Sequence, residues 1–126
     1  MQNKIFINYD IGNSASNNFD FEKEKKYFKF VKNIHLKDRI IRGSTIRFGY
    51  GKANFIKMFK YLNKTKNTYD FTLQPARSKC NKDIEEIKLN MEYINQLLVN
   101  LWKKKIVIVG STGNFGNFIF KKLKKK

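Results

Sequence analysis

The sequence has few of the residues from which enzymes build reactive or metal-binding sites. It contains one cysteine, Cys80, and one histidine, His35, so an internal disulfide is impossible and a zinc site is not expected. No apolar run reaches the roughly 18 residues that suggest a membrane-spanning helix. These absences argue against disulfide-stabilised, zinc-binding and membrane-spanning classes of protein.

Acidic residues are also scarce. The chain has 27 Lys and Arg against 10 Asp and Glu, for a net charge of +17 over 126 residues. The charge lies in two blocks, +12 over residues 25–68 and +8 over residues 101–126. Such an excess destabilises a compact chain unless a polyanion neutralises it. We expect nucleic acid as the partner, with an anionic membrane surface as the second choice.

Arginine and alanine are rare, whereas Lys, Asn, Ile and Phe are abundant. Of the 27 cationic residues 23 are Lys, although Arg is the better ligand for phosphate. This bias indicates an A/T-rich genome, and we expect a mitochondrial gene, with a plastid or an A/T-rich bacterium as alternatives. Residues 1–26 hold four acids and no Arg, which is unlike an import or signal peptide. Synthesis inside the organelle is therefore expected.

Local patterns predict a mostly α fold. Residues 4–11 predict a short strand, and the turn-rich residues 12–20 a mobile linker. A helix is expected from about Asp38 to the two glycines of Phe48-Gly49-Tyr50-Gly51, and a second helix over 52–63. The stripe of the first is Ile40, Ile41, Thr45 and Phe48, and that of the second is Ala53, Ile56, Phe59 and Leu62.

The strongest helical pattern spans residues 82–104, after a loop at 64–80. Asn81 is the expected N-cap, and acids in the first turns complement the helix dipole. An apolar seam runs along the helix through Ile84, Ile87, Met91, Ile94, Leu98 and Leu101. We therefore divide the chain into an N-terminal extension (1–26), a helical RNA-binding domain (27–104) and an extended basic tail (105–126).

Residues 105–118, KIVIVGSTGNFGNF, look like the phosphate-binding turn of a dinucleotide domain. That fingerprint requires a βαβ unit and an acidic residue about twenty positions further on. Only ten residues follow Gly116, and none of them is acidic. We expect a structural segment here, without catalytic activity, cofactor or metal; a nucleotide-binding enzyme is the alternative.

Residues 34–62 read IHLKDRIIRGSTIRFGYGKANFIKMFKYL and resemble the thirteenth small-subunit ribosomal protein family. That family opens with a pattern like I-P-x-x-K-x-V-x-x-A-L-T-x-I-Y-G-I-G. Ile34, Ile40, Thr45 and both glycines stand in register with it, and Arg39 lies one position after the place of the basic residue. The likeness extends more weakly over the long helix and ends after Lys105.

The resemblance implies two helices joined by a glycine turn that binds rRNA in the head of the small subunit. Partners would be neighbouring head proteins, large-subunit bridge elements and, through the tail, peptidyl-site tRNA. Alternatives are a different organellar ribosomal or RNA-binding protein and a basic protein bound to anionic lipid. The residues expected to contact RNA are Arg39, Arg42, Arg47, Gly49, Tyr50, Gly51, Lys52, Lys103, Lys104, Lys105, Lys121, Lys122, Lys124, Lys125 and Lys126.

Overall fold

The chain folds as a mixed α/β structure, and the prediction of a mostly α fold is wrong. The computed structural model describes residues 5–101, which contain two small sheets beside their helices. The elements in chain order are β1 Ile7–Asp10, α1 Ile11–Ser16, α2 Phe21–Glu24, a 3₁₀ helix Lys25–Phe30, β2 Val31–Leu36, β3 Asp38–Arg39, β4 Thr45–Ile46, α3 Phe55–Lys64, β5 Asp70–Leu73 and α4 Asp83–Leu101.

The larger sheet has three parallel strands in the order β1-β2-β5. In the central strand, Ile34 lies opposite Tyr9 on one side and Phe71 on the other. Parallel neighbours require crossover connections, which the short helices supply between β1 and β2, and α3 between β2 and β5. The second sheet is the antiparallel pair β3-β4, with Asp38 opposite Ile46.

The helix predicted from Asp38 to Phe48 does not form. This stretch is the β3-β4 hairpin, and its turn carries Arg42 at a φ of 48°. Of the proposed stripe only Phe48 is buried, whereas Ile40 and Ile41 are exposed. A spacing of three and four over so few residues also fits a strand pair, and β-branched residues favour strands.

From Ile7 onward, the region predicted as an N-terminal extension belongs to the folded structure. The predicted strand is confirmed as β1, but the prediction of a linker over 12–20 is wrong, because α1 begins directly after β1. Asp10 caps α1 by accepting a hydrogen bond from the Asn13 N–H at 2.8 Å. The short polar side chains of Ser14 and Ser16 let this helix lie buried.

The second predicted helix is confirmed as α3, three residues later than its predicted start. Its buried face consists of Phe55, Met58, Phe59 and Leu62, whereas Ile56 of the predicted stripe is exposed. Asn54 caps the helix by accepting from the Lys57 N–H. The loop predicted over 64–80 contains β5, a strand too short to give a periodic signal.

The long helix is confirmed as α4 as far as Leu101, where the described residues end. It begins at Asp83, so Lys82 and not Asn81 is the residue just before the helix, and the prediction of an Asn81 cap is wrong. Ser78 Oγ accepts from the Lys82 N–H at 3.1 Å in the turn that leads into the helix. Within the predicted seam Ile94 is buried, but Ile84 is exposed. The core between sheet and helices consists of Ile11, Phe28, Val31, Ile34, Leu36, Phe48, Phe55, Met58, Phe59, Leu62, Phe71 and Ile94.

Candidate nucleic-acid interface

The glycine corner, residues 48–51, is organised around a buried carboxylate. Asp38 is fully buried, and four backbone N–H groups donate to it. Oδ1 accepts from Arg39 at 3.0 Å and from Ala53 at 2.9 Å, and Oδ2 accepts from Gly49 and Gly51, each at 2.9 Å. Charge-assisted hydrogen bonds of this kind offset the cost of removing a carboxylate from water. Asp38 therefore fixes the path of the chain from β4 to α3.

Both glycines are required by close contacts. Gly49 has a φ of +88°, and a Cβ there would lie 2.7 Å from the ring of Tyr93 in α4. A Cβ on Gly51 would lie 2.1 Å from Asp38 Oδ1. Because both N–H groups donate to this carboxylate, phosphate contact at the corner must come from side chains. That Gly49 and Gly51 contact RNA stays a prediction.

Helix α4 holds the corner from the other side. Asn90 is fully buried, and its Oδ1 accepts from the Phe48 N–H at 2.7 Å while its Nδ2 donates to the Glu86 carbonyl oxygen at 2.6 Å. Arg47 binds the Glu86 carboxylate through two hydrogen bonds, at 2.8 and 2.6 Å. These contacts with the Arg47 guanidinium hold the pKa of Glu86 below its ordinary value. Arg47 is thus committed to positioning the corner on α4.

Tyr50 projects from the corner and is 72% exposed. It borders a groove of about 700 Å³ between the corner, the β3-β4 hairpin and the start of α4, which we call the Tyr50 groove. Its lining residues are Thr45, Ile46, Arg47, Tyr50, Ala76, Arg77, Ser78, Lys79, Cys80, Lys82, Glu85, Glu86 and Leu89. The groove combines an exposed aromatic ring with four cations and two carboxylates, one of which, Glu86, is paired with Arg47.

Three cations of the Tyr50 groove were missed by the sequence reasoning. Arg77, Lys79 and Lys82 fall in a segment that was predicted only as loop and helix start. None of the three forms an ion pair among residues 5–101. The signal that could have found them is the rarity of arginine, since Arg77 is the fourth and last Arg of the chain.

The other residues within 38–52 that were predicted to contact RNA do not line the Tyr50 groove. The Arg39 guanidinium faces inward and donates to the Gly43 carbonyl oxygen at 2.6 and 3.0 Å and to Asn13 Oδ1 at 2.7 Å, so it joins the hairpin turn to α1. Arg42 and Lys52 are exposed, but neither lines the Tyr50 groove. Tyr50 and Arg47 are the predicted residues that the groove brings together.

The remaining predicted contacts lie outside the described residues. These are Lys103, Lys104, Lys105, Lys121, Lys122, Lys124, Lys125 and Lys126, together with the loop at 105–118. Between residues 5 and 101, no group of three or more His, Cys, Asp or Glu is placed to hold a metal ion. His35 Nε2 lies 2.9 Å from Asn8 Nδ2, and Cys80 is exposed.

Comparisons with known proteins add no assignment. No protein-family model, no curated protein and no solved structure matches the chain. In the part of the chain that the structure describes, none of the helices is long and apolar enough to cross a membrane. The charge and geometry of the surfaces described above are therefore the features that bear on function.

Proposed function

We propose that this chain is a structural RNA-binding protein that works without catalysis, by neutralising phosphates and stacking on bases at the Tyr50 groove. The observation that carries the proposal is the combination, in one groove, of an exposed tyrosine with three cations that form no ion pair among residues 5–101. A net charge of +17 favours a polyanionic partner, and a nucleic acid is a polyanion that also offers flat apolar faces; the choice of RNA rests on the resemblance over residues 34–62.

The groove divides these tasks among its side chains. Arg77, Lys79 and Lys82 are available for phosphates, because no carboxylate among residues 5–101 pairs with them. Arg77 supplies a planar guanidinium that binds two phosphate oxygens at once. The ring of Tyr50 offers a face on which a base of any sequence stacks. Arg47 and Glu86 hold that ring in place by fixing the corner on α4.

The ribosome is the RNA context that we propose, with rRNA of the small-subunit head as the ligand in an A/T-rich organelle. Support comes from the resemblance over residues 34–62 and from the composition. In the fold, the glycine corner is followed by a helix, α3, as the resemblance implies. The β3-β4 hairpin replaces the helix expected before the corner, so residues 48–62 carry the structural part of this support.

The proposal is tested by the salt dependence of RNA binding by the full chain. If eight cations meet phosphates, the logarithm of the affinity for helical RNA falls with the logarithm of salt at a slope of about −7. Replacing Arg77, Lys79 and Lys82 together by Ala should make that slope shallower by about 2 to 3. Lys66→Ala is the matched control, because Lys66 is exposed and lies outside the groove.

Two readouts separate the groove from general basicity. In fluorescence anisotropy titrations with a labelled rRNA fragment, Tyr50→Ala should weaken binding about tenfold and leave the salt slope unchanged. Lys66→Ala gives the change in salt slope that follows from the loss of any one exposed lysine. The proposal fails if the triple variant changes the slope by no more than three times that amount. It also fails if Tyr50→Ala binds as tightly as the unmodified chain.

A further inference from the structure

A second surface lies beside the 3₁₀ helix and shares no lining residue with the Tyr50 groove. It is a cleft of about 410 Å³ between that helix, the edge strand β1 and the turn before α2. Ile7, Phe19 and Tyr27 give it apolar walls, and Phe28 lies at its buried floor. We call it the Tyr27 cleft.

The walls of the Tyr27 cleft are aromatic and open to solvent. Phe19 is 62% exposed and Tyr27 is 51% exposed, and Phe30 follows them along the surface at 46%. Rings this large are ordinarily buried in a folded chain or in a complex. The core already contains Phe28, Phe48, Phe55, Phe59 and Phe71, and the three exposed rings lie outside it.

Lysines accompany the rings. Lys23 and Lys26 line the cleft, and Lys29 and Lys32 continue the series along the chain. No ion pair with a carboxylate within residues 5–101 involves any of these four. Lys26 Nζ lies 5.0 Å from the centre of the Tyr27 ring, and Lys29 Nζ lies 4.9 Å from that of Phe30. Tyr27 and Phe30 therefore each have a positive charge beside the ring.

The cleft also contains two carboxylates that can accept hydrogen bonds from a ligand, those of Asp20 and Glu24. Asp20 lines it and uses Oδ1 to accept from the Glu22 N–H. Glu24, on the inner side, accepts from the hydroxyls of Tyr9 and Ser14, and this fixes the floor between β1, α1 and α2. A carboxylate in a lysine-rimmed cleft repels phosphate but accepts from the exocyclic amino groups of bases.

From this arrangement we infer that the Tyr27 cleft binds an unpaired nucleotide of RNA, with its base between the aromatic walls and its phosphates on Lys26 and Lys29. The choice of RNA over DNA rests on the proposed function. Single-stranded nucleic acid is bound by this combination of stacking rings and a cationic rim. A membrane surface fits less well, because the apolar groups line a recess and the recess contains carboxylates. A protein partner fits less well too, because it would bury the lysine charges without supplying phosphates to compensate them.

The test compares single-stranded with double-stranded RNA. The full chain is titrated against a fluorescent adenylate oligonucleotide and against an RNA duplex with the same number of phosphates. Tyr27→Ala should weaken binding to the oligonucleotide about tenfold and leave duplex binding within twofold of the unmodified chain. Replacing Lys26 and Lys29 together by Ala should make the salt slope of oligonucleotide binding shallower by about 1 to 2.

Tyr50→Ala removes an exposed tyrosine from the other surface, so a comparison of the two variants separates failure of the cleft from failure of the Tyr50 groove. The inference about the cleft stands, and the proposed groove fails, if only Tyr27→Ala weakens binding to the oligonucleotide. The inference is overturned if Tyr27→Ala binds the oligonucleotide like the unmodified chain, or if it weakens duplex binding equally. It is also overturned if Tyr27→Ala reduces binding to vesicles of anionic phospholipid and not to RNA. Near-identical far-ultraviolet circular dichroism of the variants excludes unfolding as the cause.

Discussion

Replacing Asp38 by Asn tests whether the buried carboxylate organises the glycine corner. In the structure Oδ2 accepts from both Gly49 and Gly51, and Oδ1 accepts from Arg39 and Ala53. Asparagine keeps the shape but replaces one oxygen by an NH₂ group. Whichever way the amide turns, two backbone N–H groups then face a donor instead of an acceptor.

The magnitude follows from those two lost contacts. A hydrogen bond to a charged group contributes about 1.5–3 kcal/mol, so the loss of two should lower the free energy of unfolding by about 3–6 kcal/mol. This is a large share of the roughly 5–15 kcal/mol that stabilises a domain. With a urea m-value of about 1–3 kcal/mol per molar, the midpoint should fall by at least about 1 M.

The assay is urea unfolding of the full chain, followed by circular dichroism. Asp70→Asn is the matched control, since it makes the same change of charge at an exposed position and should alter stability by less than about 0.5 kcal/mol. Amide hydrogen exchange adds a local readout, and the Gly49 and Gly51 N–H groups should exchange faster in the Asp38→Asn variant. Equal midpoints for the two variants, with unchanged exchange at both glycines, would refute the role assigned to Asp38.

Three further predictions concern the same fold. Gly49→Ala should destabilise the chain by about 1–3 kcal/mol, because its backbone is left-handed and its Cβ would meet α4; a midpoint equal to that of the unmodified chain would contradict this. Asn90→Ala should cost about 2–4 kcal/mol in urea unfolding, because it leaves a buried N–H group of Phe48 without its acceptor, whereas Asn95→Ala on the exposed face of α4 should cost under about 0.5 kcal/mol. The hydrogen bonds of Glu22 with Lys25 and Lys57 lower its pKa to about 2, so its contribution to stability is present above about pH 4.3 and is lost as the pH falls towards 2. Glu22→Gln should remove that part of the pH dependence at low salt and change little at high salt, where exposed pairs are screened.

The two longer helices could be predicted because their signals are local. In α3 and α4, apolar residues recur every three or four positions over several turns, and this periodicity is read directly from the chain. Even there the buried face of α3 is rotated towards Phe55 and Met58, because residues distant in sequence decide which side packs against the sheet.

The strands and the corner could not be predicted because they depend on distant partners. β1, β2 and β5 pair across 24 to 37 residues, and β3 and β4 are only two residues long. Asp38 is the one acid in the basic block at 25–68. Nothing in the neighbouring sequence shows that its carboxylate accepts hydrogen bonds from backbone N–H groups 11 to 15 residues later in the chain. The Gly and Ser residues of α1 are typical of a linker, but small side chains also allow a helix to pack closely.

Only those residues of the Tyr50 groove that have a local signal in the sequence could be proposed from it. Tyr50 and Arg47 were identified from their place beside the glycines, which is a local signal. Arg77, Lys79 and Lys82 reach the same groove only because α4 returns to the corner through Asn90 and Glu86. The aromatic residues of the Tyr27 cleft gave no periodic signal, because a 3₁₀ helix and an edge strand present them together.

The central claim is that this chain is held on ribosomal RNA by its cations and exposed rings. The most direct measurement is sedimentation of the full chain, expressed in its own cells, through a high-salt sucrose gradient that separates ribosomal subunits, followed by ultraviolet cross-linking of the subunit fractions. The account predicts that the chain sediments with the small subunit and that Tyr50 forms a cross-link to rRNA. Recovery of the chain at the top of the gradient or with membrane vesicles, without any rRNA cross-link, would contradict it.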